Sequence, residues 1–196
     1  MENITIVFAH PWKESYNAAI FRQIKNALND KNQGYEIIDL YADGFNPIMS
    51  KQELTEFSKG KTMDPLVEKY QSILKKTDHL IFIFPVWWND VPAMIKGFLD
   101  KVFIKNFAYE DTKTGIKGHL NNIKKATVIN TGKAPKWYLQ FLGGNAIKGV
   151  FINNTLKSIG IKKREWLYLG LVNKTTTEKR NKFLNKVSQK VKNNYY

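Results

Sequence analysis

Residues 80–103, LIFIFPVWWNDVPAMIKGFLDKVF, decide the predicted fold because they contain a strand, a turn and a helix in succession. Residues 80–84 are all apolar, and an unbroken apolar run of this length is typical of a strand covered on both faces of a parallel sheet. Pro85 ends the strand because proline has no N–H to donate to the ladder. Residues 87–90 then predict a loop, and Pro92 suits the first turn of a helix.

The helix after this loop is indicated by apolar residues at helical spacing, namely Val91, Met94, Ile95, Phe98, Leu99 and Val102. The loop itself contains two adjacent tryptophans, Trp87 and Trp88, followed by Asn89 and Asp90. Because ligands of open α/β sheets bind outside the carboxyl ends of the strands, we expect this loop to contact a ligand. The alternative is a buried strand and helix with ordinary aromatic packing.

Strand and helix signals alternate along the rest of the chain. Further strands are predicted at residues 3–9, 35–40, 125–131 and 164–169, and further helices at residues 17–30, 64–76, 145–159 and 175–192. The other segments are a polar excursion at residues 41–61 with a helical turn at 52–57, a loop at 106–122 and an irregular segment at 132–144.

This alternation implies right-handed βαβ crossovers and a parallel sheet. We therefore expect an α/β fold in one domain, residues 1–196. Its core is a flavodoxin-like, doubly wound, five-stranded parallel sheet in the order 2-1-3-4-5, with helices on both faces. This order creates a switch point between the first and third strands, which is where FMN binds in that fold.

The composition of the 196-residue chain limits the classes of protein and site to consider. The chain has no cysteine, which excludes a disulfide framework, a thiol nucleophile and cysteine metal sites, and we expect no metal site. The amino terminus enters a strand without a signal-peptide pattern, and no apolar run is as long as a membrane span. We therefore expect a cytoplasmic protein with no membrane span.

The formal net charge of +14 leaves two interpretations open. One is a basic module that binds nucleic acid. The other is a positive surface that attracts a polyanionic dinucleotide cofactor. The lysines are scattered, and the densest basic stretch, residues 174–192, has the pattern of an amphipathic helix with a solvated face. We therefore favour the second interpretation and expect no nucleic-acid partner.

Residues 10–18 follow the first strand and lead into the first helix. A helix amino terminus presents free N–H groups and the positive end of the helix dipole, which favours phosphate binding. The side chains of Ser15 and Asn17 can donate hydrogen bonds to phosphate oxygens; His10 can also donate, and it is charged when protonated. The alternative is a helix capped by Ser15 beside a histidine with no functional role.

Residues 85–101 resemble the flavin-binding signature of the NAD(P)H:quinone oxidoreductases with a flavodoxin-like fold. The similar residues are Pro85-Val86-Trp87-Trp88, Pro92-Ala93-Met94-Ile95-Lys96-Gly97 and Asp100-Lys101. The loop after the first strand resembles the same family through His10-Pro11, Ser15, Tyr16, Asn17 and Ala18. The loop after the fourth strand resembles it through Thr131-Gly132-Lys133 and Tyr138.

The third loop also departs from the family pattern. The family has Thr-Gly-Gly or Thr-Gly-X at this place, and Lys133 occupies the place of the second glycine, so the Gly-Gly pair is only half present. In relatives a histidine follows the tyrosine, but the corresponding position here is near Gly144 and no histidine is close in sequence.

The resemblance implies that the three loops bind a flavin, FMN or FAD, at the carboxyl ends of the first, third and fourth strands. Trp87, Trp88 and Asn89 would supply an aromatic wall and backbone N–H donors. Gly132 would allow the backbone to approach the ring closely, and Tyr138 is the catalytic candidate, as a donor of a proton or hydrogen bond. The implied cofactor-binding residues are His10, Ser15, Tyr16, Asn17, Ala18, Pro85, Val86, Trp87, Trp88, Asn89, Thr131, Gly132, Lys133 and Tyr138.

The activity implied by the resemblance is ping-pong hydride transfer from NAD(P)H, the electron donor, through the flavin to a quinone, azo or nitroaromatic acceptor. Relatives are commonly homodimers, so a homodimer is implied as well. Two alternatives remain. The chain could be a non-catalytic, flavin-binding regulatory subunit, or a basic α/β module for nucleic acid in which the three loops are structural.

Overall fold

The computed structural model of the protein describes residues 2–192. Its elements in chain order are β1 (Ile4–Phe8), α1 (Tyr16–Asn29), β2 (Tyr35–Asp39), α2 (Lys51–Phe57), α3 (Pro65–Lys76), β3 (His79–Pro85), α4 (Ala93–Val102), β4 (Tyr109–Thr112), β5 (Gly115–Gly118), β6 (Lys125–Thr131), α5 (Lys136–Phe141), a π-helix (Ala146–Thr155), α6 (Leu156–Ser158), β7 (Lys163–Leu169) and α7 (Thr177–Lys192).

The central sheet has five strands in the order β2-β1-β3-β6-β7, and each neighbouring pair is parallel. Numbered among themselves, these strands have the order 2-1-3-4-5, so the predicted flavodoxin-like α/β fold is confirmed. The chain moves from β1 to β2 on one side and returns to β3 on the other. A crevice therefore opens at the carboxyl ends of β1 and β3.

Both faces of the central strand β3 are buried, as the apolar run at residues 80–84 predicts. Leu80, Phe82 and Phe84 pack in a cluster with residues of α3, α4 and the π-helix. Ile81 and Ile83 pack in a second cluster with residues of α1 and α7. The alternation of strand side chains thus places helices on both faces of the sheet.

Residues 106–122 were predicted as a loop, and this is wrong. β4 and β5 form an antiparallel hairpin there, in which Tyr109 pairs with Gly118 and Thr112 with Gly115. The hairpin is mostly exposed, so its strands lack the apolar pattern that marks a buried strand.

Residues 132–144 were predicted as irregular, but they contain the six-residue helix α5. Pro135 is its N-cap and two glycines follow it, so flanking turn signals conceal a short helix. The predicted helix at residues 145–159 begins as a π-helix instead, with Asn145 in the left-handed region at φ 53°. Apolar spacing does not distinguish a wider helix from an α-helix over so few residues.

The two prolines that flank the tryptophan loop differ slightly from their predicted roles. Pro85 is still paired with Thr131 at the end of β3, and the following N–H, of Val86, donates to the Thr131 carbonyl at 2.7 Å. Pro92 is the N-cap of α4 at φ −61° and lies just before the first turn. Both prolines nevertheless mark the boundaries of the loop.

The excursion between β2 and α3 is attached to the sheet by one buried lysine. Lys101 on α4 is 5% exposed, and its Nζ lies 2.8 Å from Glu53 Oε1 on α2 and 3.0 Å from Asp64 Oδ2, the N-cap of α3. The same Nζ donates to the carbonyl of Asn46 at 3.0 Å and lies 5.3 Å from the centre of the Phe45 ring. A buried ammonium with several partners avoids the cost of an unpaired buried charge.

Candidate functional site

A cavity of about 1180 Å³ lies at the carboxyl ends of the sheet strands. Its walls come from the loops after β1, β3 and β6, with additional residues from β7 and α7. All the predicted site residues line it except Ala18 and Tyr138. The fold thus brings the three loops together at the switch point, where the sheet order predicts a ligand.

The first wall of the cavity is the amino terminus of α1. Ser15 is its N-cap, as predicted, and its Oγ accepts a hydrogen bond from the N–H of Ala18 at 3.1 Å. Ala18 therefore has a structural part in the cap, and its N–H is not available to a ligand. The Ser15 hydroxyl keeps its own hydrogen to donate.

Asn17 carries a polar atom that has no protein partner. Its side chain is 3% exposed, and its Nδ2 donates to Thr131 Oγ1 at 2.9 Å, which joins the first loop to the third. Its Oδ1 is buried at the cavity wall and has no hydrogen-bond partner among residues 2–192. Buried polar atoms are nearly always hydrogen-bonded, so this atom indicates a missing ligand contact.

His10 lines the cavity as a neutral donor. Its Nδ1 accepts from the N–H of Trp12 at 3.1 Å, so the proton of the neutral ring is on Nε2. Burial lowers the pKa of His10 below its ordinary value of 6.5, although the hydrogen bond with Trp12 opposes this shift. The imidazole is therefore uncharged at neutral pH, and Nε2 offers one N–H.

The tryptophan loop is a strained turn. Trp87 and Asp90 exchange backbone hydrogen bonds at 3.1 and 3.0 Å, and Trp88 and Asn89 between them both have positive φ, 51° and 63°. This is the backbone of a type I′ turn, which normally requires Asn or Gly. A tryptophan there costs about 1–3 kcal/mol, and such strain is concentrated at functional sites.

The same turn presents groups that a flat aromatic ligand can use. The Trp88 side chain is 99% exposed and Trp87 is 44% exposed, with the His10 ring packed edge-on against Trp87 at 6.2 Å. Within the described part of the chain, the backbone N–H groups of Trp88 and Asn89 have no acceptor. The loop thus combines apolar surface with two free donors, as predicted from its sequence.

Gly132 is required by a neighbour that the sequence did not reveal. A Cβ on Gly132 would lie 2.5 Å from the hydroxyl of Tyr168 on β7. Tyr168 itself lines the cavity, and its hydroxyl donates to the Ala134 carbonyl at 2.6 Å. Burial raises the pKa of Tyr168 to about 12, so the phenol remains protonated. Glycine at this position therefore makes room for Tyr168 at least as directly as for a ligand.

Tyr138 lies on α5 and does not line the cavity; its helix neighbour Leu139 does. The Tyr138 ring packs edge-on against Trp137 at 6.2 Å and lies against Gly143. Gly144, the position near which relatives have a histidine, has φ 77° and open space where a side chain would project. In this conformation neither position supplies a proton donor to the cavity, and a catalytic role for Tyr138 stays a prediction.

Arg180 on α7 is a cavity residue that the sequence analysis missed. Its Nη2 donates to the Val172 carbonyl at 2.7 Å, its own carbonyl accepts from the Tyr16 hydroxyl at 2.6 Å, and its buried Nε has no partner among the described residues. Burial raises the pKa of Tyr16 to about 12, although the Arg180 charge opposes this rise. In sequence Arg180 is one more cation of the basic tail, and only the packing of α7 against α1 brings it to the site.

Residues 2–192 contain neither a candidate metal site nor a candidate membrane-spanning helix. No group of three or more His, Cys, Asp or Glu side chains is arranged to hold a metal ion. None of the helices in this range is both long and apolar enough to cross a membrane.

Comparison with known proteins gives a consistent match. The family described as flavodoxin-like fold matches residues 2–191. A protein of Haemophilus influenzae named as an uncharacterised NAD(P)H oxidoreductase is 28% identical over 189 residues, 96% of this chain and 93% of that protein. The crystal structure of Smu.1420 from Streptococcus mutans UA159 has a TM-score of 0.87 and 34% identity, and the match covers 97% of this chain and 99% of that one.

A mammalian relative covers less of the chain. NAD(P)H dehydrogenase (quinone) 1 of Rattus norvegicus is 32% identical over an alignment of 152 residues, and the match covers 68% of this chain. The match spans 54% of the rat protein, so this chain corresponds to about half of that relative's length.

Proposed function

Because the chain belongs to the family of proteins with a flavodoxin-like fold, we propose that it is a flavin-dependent NAD(P)H:quinone oxidoreductase. The observation that carries the proposal is the convergence of three loops, each resembling a flavin-binding motif, on one cavity of about 1180 Å³. The names of the relatives, an NAD(P)H oxidoreductase and a quinone dehydrogenase, are consistent with this chemistry.

The residues of the cavity fit a flavin. The amino terminus of α1, with Ser15 and Asn17, offers donors to a phosphate, and Arg180 adds a positive charge beside it. The buried Oδ1 of Asn17 lacks a donor, and the ribityl chain of a flavin carries hydroxyl groups that can supply one. At the other end, Trp87 and the free N–H groups of the Trp88-Asn89 turn suit the ring and its polar edge.

The chemistry follows from the cofactor and the shape of the site. When bound, the flavin supplies hydride transfer from NAD(P)H to an acceptor, and the protein supplies position and electrostatics. The exposed Trp88 indole offers a stacking surface to a planar nicotinamide or a planar acceptor. The two substrates would use this surface in turn, which is the basis of a ping-pong reaction with quinones, azo compounds or nitroaromatics as acceptors.

Three further side chains at the cavity keep a fixed protonation state near neutral pH. The neutral His10 offers Nε2–H to the cavity, and the phenols of Tyr16 and Tyr168 stay protonated because burial raises each pKa to about 12. These side chains therefore orient ligands by donating or accepting hydrogen bonds, without changing charge near neutral pH.

A homodimer is part of the proposal. α5 directs Leu139 towards the cavity and leaves Trp137 and Phe141 exposed by 57% and 79%, and its C-cap Leu142 is exposed by 68%. Clustered apolar side chains beside a binding site are typical of a protein interface. Sedimentation velocity of the purified protein should give about twice the chain mass of 22.7 kDa, and Phe141→Glu should shift the distribution to monomer.

The experiment that tests the function is purification followed by spectroscopy and kinetics. The protein should carry the yellow absorbance of oxidised flavin, and NAD(P)H should bleach it without an added acceptor. Initial rates with a quinone should give parallel lines in double-reciprocal plots. A protein that binds flavin but shows no turnover would support the regulatory subunit, and a colourless protein that binds nucleic acid would support the basic module. A cytoplasmic location, argued from the sequence alone, remains part of the proposal.

A further inference from the structure

Asn130 is a fully buried amide near the carboxyl end of β6, with an exposed fraction of 0%. Burying an amide is costly unless its polar atoms find hydrogen-bond partners. Here the Asn130 Nδ2 donates to the carbonyl of Phe84 on β3 at 2.9 Å, and the Oδ1 accepts from Nε1 of Trp166 on β7 at 3.1 Å. One side chain thus joins three neighbouring strands of the sheet.

This connection lies next to the cavity, although Asn130 itself does not line it. The residues that directly follow Asn130 and Phe84 in sequence both line the cavity. On β7, Trp166 comes two residues before Tyr168, which is also a lining residue. Because side chains alternate along a strand, Trp166 and Tyr168 are on the same face of the sheet. Asn130 therefore bonds to two strands close to the points where each reaches the cavity.

Trp166 and Tyr168 form an aromatic pair that supports the loop after β6. Their ring centres lie 5.5 Å apart. The Tyr168 hydroxyl donates to the carbonyl of Ala134 at 2.6 Å, and Lys136 Nζ lies over the Trp166 ring, 4.7 Å from its centre. A cation over an indole is attracted to the face of the ring. Lys136 is the first residue of α5, the helix whose Leu139 lines the cavity, so the aromatic pair supports one wall of the site.

We propose that Asn130 is a positioning residue for the flavin site, an inference that rests on the proposed function. Through Phe84 it holds the start of the tryptophan loop, and through Trp166 it holds the aromatic pair below α5. The backbone ladder fixes the strands but leaves the indole a choice of rotamers. The bond from Nε1 of Trp166 selects the rotamer that faces Lys136. Asn130 thus fixes two walls of the cavity relative to each other without touching the ligand.

The test compares flavin affinity with stability in the same variants. A purely structural residue would lower the free energy of unfolding without changing the flavin dissociation constant of the folded protein. Asn130→Leu keeps a side chain of similar size and removes both hydrogen bonds, so it should raise the dissociation constant about tenfold. Trp166→Phe removes only the bond to β7 and should raise it about threefold. Fluorescence titration of the apoproteins and urea unfolding measure the two quantities.

Thr127→Val is the matched control on the same strand. Thr127 is 3% exposed, and its Oγ1 shares a hydrogen bond of 2.8 Å with Nε2 of His79, at the amino end of the sheet. The variant therefore also removes a buried side-chain hydrogen bond between β3 and β6, but far from the cavity. It should lower stability and leave the flavin dissociation constant within about twofold of wild type.

The possible outcomes separate this inference from the proposed function. Unchanged flavin affinity in Asn130→Leu, with lower stability, would make Asn130 a structural residue only. Equal weakening in Thr127→Val would also overturn the inference, because the effect would then come from a general loosening of the sheet. If Asn130→Leu does not fold, unchanged affinity in Trp166→Phe would overturn it instead. Wild-type protein that binds no flavin would overturn the proposed function and this inference with it.

Discussion

The two ends of the central sheet each have a cavity, but only one of them has the chemistry of a binding site. The amino end has a cavity of about 700 Å³. Several of its buried polar groups are paired within the protein. Thr5 and Thr77 share a hydrogen bond of 2.6 Å, and Gln33 Nε2 donates to the Glu2 carbonyl at 2.7 Å. Nearby, the N–H of Asn3 donates to Asp78 Oδ2 at 2.9 Å.

At the carboxyl end, by contrast, some polar groups have no partner within the described part of the protein. Asn17 Oδ1 and Arg180 Nε are buried without partners among the described residues, and the Trp88-Asn89 turn is strained and exposed. The volume of a cavity therefore says little about its function here. Unsatisfied polar atoms and backbone strain are costly. Of the four buried side-chain atoms without a partner among the described residues, Asn17 Oδ1 and Arg180 Nε belong to residues that line the carboxyl-end cavity, whereas Asn145 and Arg164 line neither cavity.

Replacing one glycine by alanine at each end of the sheet should give the largest difference in flavin affinity. Gly132→Ala should weaken flavin binding by about a hundredfold, or about 3 kcal/mol, because the new Cβ would lie 2.5 Å from the Tyr168 hydroxyl at the cavity wall. Gly34→Ala at the amino end should change flavin affinity by less than twofold, because nothing lies within 4 Å of its Cβ position. Fluorescence titration of the apoproteins with flavin measures both.

The clash with Tyr168 can be tested directly. Removal of the hydroxyl in Tyr168→Phe leaves the nearest ring carbon, Cζ, 3.3 Å from the Cβ position. The double variant Gly132→Ala/Tyr168→Phe should therefore regain most of the lost affinity. If the double variant is as weak as Gly132→Ala alone, the glycine is needed by the flavin rather than by Tyr168.

Mild acid should weaken the amino end through His79, the first residue of β3. Its ring is 1% exposed, with Nε2 2.8 Å from Thr127 Oγ1, and burial lowers its pKa to about 3 from 6.5. Above pH 6.5 the His79 imidazole is neutral in both the folded and the unfolded protein, so its burial does not make stability depend on pH. Below it the unfolded chain binds a proton that the folded protein does not, so stability should fall by about 1.4 kcal/mol per pH unit, or about 2 kcal/mol by pH 5.

Urea unfolding at pH 6.5 and pH 5 measures this dependence. His79→Gln should remove most of the slope, whatever its effect on stability at pH 7. The pKa of His10 is also lowered by burial, so His10, at the carboxyl end, should contribute a smaller part of the pH dependence of stability. A slope that is unchanged in His79→Gln would assign the acid sensitivity to other groups.

The unpartnered Oδ1 of Asn17 should matter for binding more than for folding. Asn17→Ala should weaken flavin binding about tenfold, the cost of one lost hydrogen bond to a buried group. Thr131→Val is the matched control because it breaks the same Asn17–Thr131 hydrogen bond but leaves the amide in place. Isothermal titration should show less than about threefold weakening for Thr131→Val. Equal losses would mean that Asn17 acts only by holding Thr131.

Relieving the strain at the carboxyl end should stabilise the protein at the expense of function. Trp88→Asn places a residue suited to positive φ in the turn and should raise stability by about 1 kcal/mol, or about 2–4 °C in Tm, while weakening substrate stacking. Trp137→Asn, at an exposed position with helical backbone, should give no such gain. Differential scanning calorimetry and the KM for the acceptor report the two effects, and a lower Tm for Trp88→Asn would contradict the assignment of strain.

The sequence predicts the sheet well because the relevant information is local. The apolar run at residues 80–84 must be buried on both faces, and the βα alternation leaves few topologies. The family resemblance was confirmed by the comparisons, and it located the three loops. Ser15 is the predicted cap because capping depends on residues within one turn of helix.

What the sequence could not supply depends on contacts between distant segments. Tyr168 reaches Gly132 and Arg180 reaches Tyr16 only after β7 and α7 have packed against the rest of the sheet. The strained turn was hidden for a different reason. Trp88-Asn89 contains no glycine, so its left-handed backbone contradicts the usual turn signature.

The ion pairs of Lys101 determine how the protein opens locally. Loss of either Glu53 or Asp64 would leave the buried Lys101 ammonium with one carboxylate instead of two, which destabilises it because a buried charge needs its partners. α2 and the start of α3 therefore share one buried partner. We expect their amides to exchange with deuterium together, in one cooperative opening of residues 41–64 on the side of the sheet.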